Sequence, residues 1–141
     1  MNFITARVVR LAGRSVGFSL GEGRPPLDLE FAPGETLPLP GDAVTLGIRP
    51  EALGDDGEIH LADAEVTVVE ALGRETLVYS DARALRTTDS ESLDGDFAQL
   101  VPNQSDKRLG QPIALRADRS AFVVFAADGA TLRDASPIHR K

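Results

Sequence analysis

Hydrophobic and polar residues alternate with a period of two along much of this chain. Leu27-Asp28-Leu29-Glu30-Phe31 shows the period most cleanly and predicts a half-buried strand. Met1 to Arg10 sets Ile4, Ala6 and Val8 on one face and Phe3, Thr5, Arg7 and Val9 on the other, a first strand with both faces at least partly covered. Ser15 to Leu20 predicts another, with Val16, Phe18 and Leu20 inward. In Asp42 to Arg49, Val44, Leu46 and Ile48 alternate with Thr45, Gly47 and Arg49, and Pro50 ends the strand by removing a backbone donor and restricting Arg49. Ala64 to Leu72 and Glu75 to Ser80 predict a hairpin through Gly73-Arg74. Ala84 to Thr87 reads as a short partner strand, and Ile113 to Ala117 and Ser120 to Ala126 as later strands. Asp128-Gly129 signals a hairpin into Ala130 to Arg133.

The intervening stretches are built from turn formers. Gly21 to Pro26, Ala32 to Gly41 and Ala52 to Asp63 read as loops. Asp89 to Arg108 offers only Phe97, Leu100 and Val101 as isolated anchors and reads as partly mobile, and the tail from Asp134 is expected to fray. No segment sustains a helical period. The fold class is therefore all-β: an OB-like barrel of many short antiparallel strands, roughly eight to ten, which exceeds a minimal five-stranded barrel. A weak internal echo suggests a tandem or interleaved second half. Pro40-Gly41-Asp42 leads into Val44 much as Gly110-Gln111-Pro112 leads into Ile113.

Composition narrows the function. The chain has 141 residues, which suits one domain, and 42% hydrophobic residues but only 5% aromatic ones, so Val, Leu, Ile and Ala carry the core. Its net charge of -7 and pI near 4.8 argue against broad nucleic-acid binding or an electrostatic grip on anionic lipid. The absence of cysteine excludes disulfides, thiolate zinc sites and cysteine nucleophiles. The longest apolar run, Ala121 to Ala127, is too short to span a bilayer, and MNFITARVVR lacks the layout of a secretion signal.

Catalytic constellations find little support. His60 and His139 have no nucleophile or second ligand at short spacing. Acidic pairs such as Asp55/Asp56 and Glu70/Glu75 are expected in any acidic chain, and Gly54 to Gly57 lacks a full calcium-loop pattern. There is no phosphate loop of either common type. Phe3, Phe18, Phe31, Phe122 and Phe125 sit in apolar strand patterns and read as core, not as a base-stacking platform. Two polar strand-end corners remain: Arg49-Pro50-Glu51, and Glu70 with Gly73, Glu75 and Thr76. Arg49 can pair with Glu51, Glu70 or Glu75 to pin strand ends, contribute to an interface, or hold an oxyanion.

Four stretches in order, MNFITARVV, GIRPEAL, VEALGRETLVY and FVVFAADGATL, resemble the C-terminal region of sugar-importer ABC transporter ATPase subunits of the maltose, trehalose and glycerol-3-phosphate type. Gly47, Arg49, Pro50 and Glu51 match the first family motif, and Glu70, Gly73, Glu75 and Thr76 the second. The match is poorest from about Asp89 to Arg108. Where the family often has His-Leu-Phe this chain has Val123-Val124-Phe125, so any role of that histidine does not transfer.

The resemblance implies that residues 1–141 form a transport-associated OB (TOBE-type) regulatory domain of a longer subunit, with structural or interface roles for the eight motif residues. The nucleotide-binding domain would lie upstream, outside this chain. The chain would then be no enzyme and would hold no cofactor or metal, while the parent, a transport ATPase, would bind ATP and Mg. Partners would be a second copy in a homodimer, the transporter's membrane subunits through the parent, and a regulatory protein or small effector, with no nucleic acid among them. The setting would be the cytoplasmic face of the cell membrane. The competing reading is a β-barrel that senses a small ligand, an oxyanion or sugar phosphate, through Arg49.

Overall fold

The structure, a computed structural model, describes residues 1–21, 24–81, 96–102 and 108–135. Among them, antiparallel strands make two curled sheets. The first contains β1 (Asn2–Ala12), β2 (Ser15–Ser19), β3 (Leu27–Glu30), β4 (Ala43–Ile48), β9 (Val123–Ala126) and β10 (Thr131–Arg133), in the order β10-β9-β4-β1-β2-β3. The second contains β5 (Ile59–Ala71), β6 (Glu75–Asp81), β7 (Asp96–Pro102) and β8 (Pro112–Ala117), in the order β7-β6-β5-β8. The all-β, OB-like architecture agrees with the alternation in the sequence. Ala84 to Thr87 lies outside the described residues.

One hydrophobic cluster joins the sheets. Ile4, Val8, Phe18, Leu29, Leu46 and Ile48 enter it from the first, and Leu61, Val66, Val78, Phe97 and Leu115 from the second. Aliphatic side chains from both inner faces remove their surface from water together, which is the main favourable term in holding such layers.

Two 3-10 turns deepen the echo between the halves. Pro50–Ala52 follows β4 and Arg119–Ala121 follows β8. Each begins after a residue in extended conformation, Arg49 (φ -69, ψ 149) or Asp118 (φ -84, ψ 153), and each is closed by the next residue's N–H on the turn's first carbonyl. Those next residues, Leu53 and Phe122, are both buried.

The long first sheet closes on itself through side chains. Arg133, 6% exposed, sits on β10. Its Nε donates to the Glu30 carbonyl of β3 at 2.7 Å, and its Nη1 to the carbonyls of Phe122 at 2.6 Å and Arg119 at 3.2 Å. Glu35 completes the closure by accepting from the N–H groups of Ala32 at 2.7 Å and Asp134 at 2.9 Å. Arg14 ties down the same loop through the carbonyls of Phe31 and Glu35. Strands at opposite ends of one sheet are thus joined without a ladder between them.

The same contacts give a pH dependence. Burial pushes the Glu35 carboxyl upward, but the two backbone donors and the charges of Arg133 and Arg14 outweigh it, leaving the group below its usual value. A lowered folded value stabilises above the unfolded pKa and is lost as pH falls through the folded one. Glu35→Gln should therefore weaken the protein at neutral pH and flatten the acid limb of its stability profile, read by urea unfolding between about pH 7 and pH 3. Parallel profiles for the two proteins would refute this role.

Three expectations change. The stretch Ala52 to Asp63 is not all loop, because β5 begins at Ile59 and puts His60 in a strand. The register slips between His60 and Ala62, so the neighbours Leu61 and Ala62 are both buried and the alternation is lost locally. Within Asp89 to Arg108, residues 96–102 form β7, whose inward positions include the polar Gln99 as well as Phe97. Phe18, Phe31 and Phe122 are core residues, whereas Phe3 and Phe125 are only half-buried and meet edge to face at 6.2 Å.

Gly57 is fixed by a close crossing. A Cβ there would lie 2.9 Å from the Ala117 backbone nitrogen and carbonyl carbon, and its φ of +141° disfavours any side chain. Gly57→Ala should destabilise by about 2 kcal/mol, seen as a lower denaturation midpoint at constant slope. A midpoint like that of the parent would show that the crossing relaxes freely.

Candidate functional site

The first polar corner is the start of the Pro50–Ala52 turn. Proline at its first position supplies the φ that the turn needs and has no N–H to leave unpaired. Arg49 and Glu51 both point into solvent. Gly47, just upstream, is buried beneath Met1 and Phe125, whose side chains occupy the space a Cβ would take.

The second corner is the tip of the β5–β6 hairpin. Leu72 N–H donates to the Glu75 carbonyl at 2.8 Å, and Gly73 turns the chain with φ +92°. Glu70 and Glu75 are exposed, while Thr76 is buried on the inner face. Glu75 stands opposite Pro102 of β7, and the first corner packs beside that same strand. The two corners therefore share β7 as a neighbour. Among the described residues no ion pair joins Arg49 to Glu51, Glu70 or Glu75, so charge does not pin these ends together.

What does join the sheets at this point is Asn2, 4% exposed. Its side-chain amide copies a strand edge. Nδ2 donates to the Ala98 carbonyl at 2.8 Å and to the Ile48 carbonyl at 3.2 Å, and Oδ1 accepts from the Ala98 N–H at 2.7 Å. The end of β4, the start of β1 and the edge of β7 are thereby locked beside the Arg49 corner. Asn2 was open to sequence reasoning: it has the same parity as Ile4, Ala6 and Val8 and is the polar member of that inward row.

The outer face of β5–β7 carries an apolar row. Val68, exposed, stands across from Tyr79, which stands across from Ala98; beside them Leu77 pairs with Leu100, and Leu72 is exposed at the tip. Solvent-facing positions of a sheet with this composition suit a protein contact.

The two larger clefts among the described residues lie elsewhere. A groove of about 690 Å³ crosses the outside of β1, lined among others by Thr5, Arg7, Ser19 and Thr45. A cleft of about 530 Å³ lies beside Arg24, His60 and Arg119. Among the described residues no three His, Asp or Glu side chains gather as a metal site, and no helix is long and apolar enough to cross a membrane.

No family model matches the chain. Curated relatives do. The chain is 30% identical over 133 residues to the maltose/maltodextrin import ATP-binding protein MalK of Vibrio vulnificus, a match covering 92% of this chain and 32% of that protein. It is 33% identical over 140 residues to the lactose transport ATP-binding protein LacK of Rhizobium radiobacter, covering 94% of this chain and 34% of the relative. It is 26% identical over 128 residues to the sn-glycerol-3-phosphate import ATP-binding protein UgpC of Psychromonas ingrahamii, covering 91% and 31%. The chain spans about a third of the length of the curated relatives it matches.

Proposed function

We propose that this chain, a relative of the C-terminal region of solute-importer ATP-binding proteins, is a non-catalytic accessory domain of such a subunit. In this role it is a TOBE-type regulatory domain that follows a nucleotide-binding domain and helps hold two ATP-binding subunits together, with ATP and Mg bound upstream. The parent couples ATP hydrolysis to import of a carbohydrate or a related solute, from a peripheral position on the cytoplasmic side of the membrane.

The carrying observation is the shape of the similarity. It takes in more than nine-tenths of this chain but only a third of each relative, all of them importer ATP-binding proteins. The fold supports the same role. It projects polar corners and an apolar sheet face outward, as a contact module does.

Sedimentation velocity across a wide concentration series tests the self-association. A reversible monomer–dimer equilibrium is expected, and a strict monomer at the highest concentration would remove the dimer contact from this domain. Arg49 gives a sharper readout. It is exposed and has no ion pair within the described fold, so Arg49→Ala should leave folding stability within about 0.5 kcal/mol. Its effect should fall on association instead. A clear loss of thermal stability with unchanged association would reverse the assignment and make Arg49 a bracing residue. Arg49 lines neither cleft described above, so an oxyanion role is not proposed for it.

A further inference from the structure

The 530 Å³ cleft lies between the loop that enters β3, the start of β5 and the second 3-10 turn. Leu20, Pro25 and Ile59 give it apolar walls, and among the described residues no Phe, Tyr or Trp lines it. Its polar groups are Arg24, Arg119, His60 and Glu58.

Both arginines are held in place yet incompletely used. Arg24 donates from Nη2 to the Leu61 carbonyl, and its Nε is closed off, which leaves Nη1 as the nitrogen open to a ligand. Arg119 donates from Nε to the Asp28 carbonyl at 3.1 Å and from Nη1 to Glu58 Oε1 at 2.5 Å, which leaves Nη2 without a protein partner. His60 Nε2 is engaged by Asp63 Oδ1 at 3.0 Å. Arg119 is 46% exposed, so its Nη2 is open to water and to a ligand alike. Among the described lining residues two guanidinium groups face one carboxylate, a local excess of positive charge on a chain whose net charge is -7. An acidic surface does not collect anions unspecifically, so any anion retained here is retained by this local arrangement.

We propose that this cleft binds a small phosphorylated metabolite, with its phosphate on Arg24 and Arg119 and its carbon skeleton against Pro25 and Ile59. Arginine forks match phosphate oxygens in geometry and charge. A cleft of this size admits a ligand of sugar-phosphate dimensions, and with no Phe, Tyr or Trp among the described lining residues a neutral sugar has little to stack on. The inference stands apart from the role in subunit association, since neither arginine belongs to the polar corners.

Calorimetric titration of the whole chain with glucose 6-phosphate, inorganic phosphate and glucose tests it. Saturable binding is expected for glucose 6-phosphate, at least threefold weaker binding for inorganic phosphate, and none for glucose. Arg24→Gln and Arg119→Gln should each lower the affinity at least tenfold, while Arg49→Gln leaves it unchanged. Glu58→Gln removes the competing charge while keeping an acceptor for Arg119, so it should tighten binding severalfold. That opposite sign keeps the idea testable if an arginine variant fails to fold. No saturable binding of either phosphate would overturn the proposal. So would glucose binding as tightly as its phosphate, inorganic phosphate binding as tightly as the ester, or Glu58→Gln weakening the interaction.

Discussion

Arg133→Met should lower the unfolding free energy by about 3–5 kcal/mol. Methionine fills much of the same space, so the loss measures the polar work of the guanidinium. The carbonyls of Glu30 and Phe122 would lose this donor in a site that is almost closed to water, and that of Arg119 would keep only the Phe122 N–H that closes its turn. Glu35 would lose a cationic neighbour as well. Against a total stability of about 5–15 kcal/mol for a domain of ordinary size, this is a large fraction. Burial already disfavours the charged form of Arg133, and Glu35 and Glu30 offset that only in part, so the arginine is retained for its bonds and not for its solvation. Arg133→Lys should recover little, because an ammonium does not reproduce the planar fork that reaches β3 and the 3-10 turn together. Urea unfolding of the three proteins decides the matter. A methionine variant within about 1 kcal/mol of the parent would show that the closure is ornamental.

Asn2→Asp is expected to be nearly as severe, at about 3 kcal/mol or more. The change replaces a two-donor amide nitrogen with a carboxylate oxygen facing the carbonyls of Ile48 and Ala98. Attraction becomes repulsion, and a charge takes the place of a neutral amide at a buried position. Asn2→Ala should cost less, about 1–3 kcal/mol, because it leaves the Ala98 edge unpaired but adds no charge. Amide hydrogen exchange gives a local readout. The Ala98 N–H donates to Asn2 in the native fold, so it should exchange much faster in either variant while the Leu46 region keeps its protection. Unchanged exchange at Ala98 would remove the clamp from consideration.

These two residues also mark the boundary of what the amino-acid pattern makes legible. The alternation in Leu27 to Glu30 and in Val44 to Ile48 identifies strands because one face is apolar and the other wet, and both strands are present where that pattern lies. The hairpins at Gly73 and Gly129 follow from the positive φ that each turn requires. The start of β5 was hidden because a register slip buries Leu61 and Ala62 in succession. The strand β7 was hidden because Gln99, a polar residue, occupies an inward position. Of the eight corner residues, the pattern located the bends correctly. It did not foresee that an amide, not an ion pair, joins the sheets beside them. Pairing across sheets depends on which strands lie side by side, and that is information about distance, which local periodicity does not carry. The excess of arginine nitrogens at Arg24 and Arg119 is hidden for the same reason, since these residues are brought to one cleft only by the fold.

The order of strands has a consequence in time. β5 to β8 are continuous in sequence and form the second sheet by themselves, whereas the first sheet takes β1 to β4 from the front of the chain and β9 and β10 from the back. As the polypeptide leaves the ribosome, β4 emerges with one edge bare and waits for β9, which pairs with it only after the whole second sheet has been made. Contacts between such remote segments form slowly, because the loop between them must close first. A growing chain therefore carries an unpaired, hydrophobic strand edge while residues 49–122 are made, and stalled or shortened products ending before Val123 would expose it permanently.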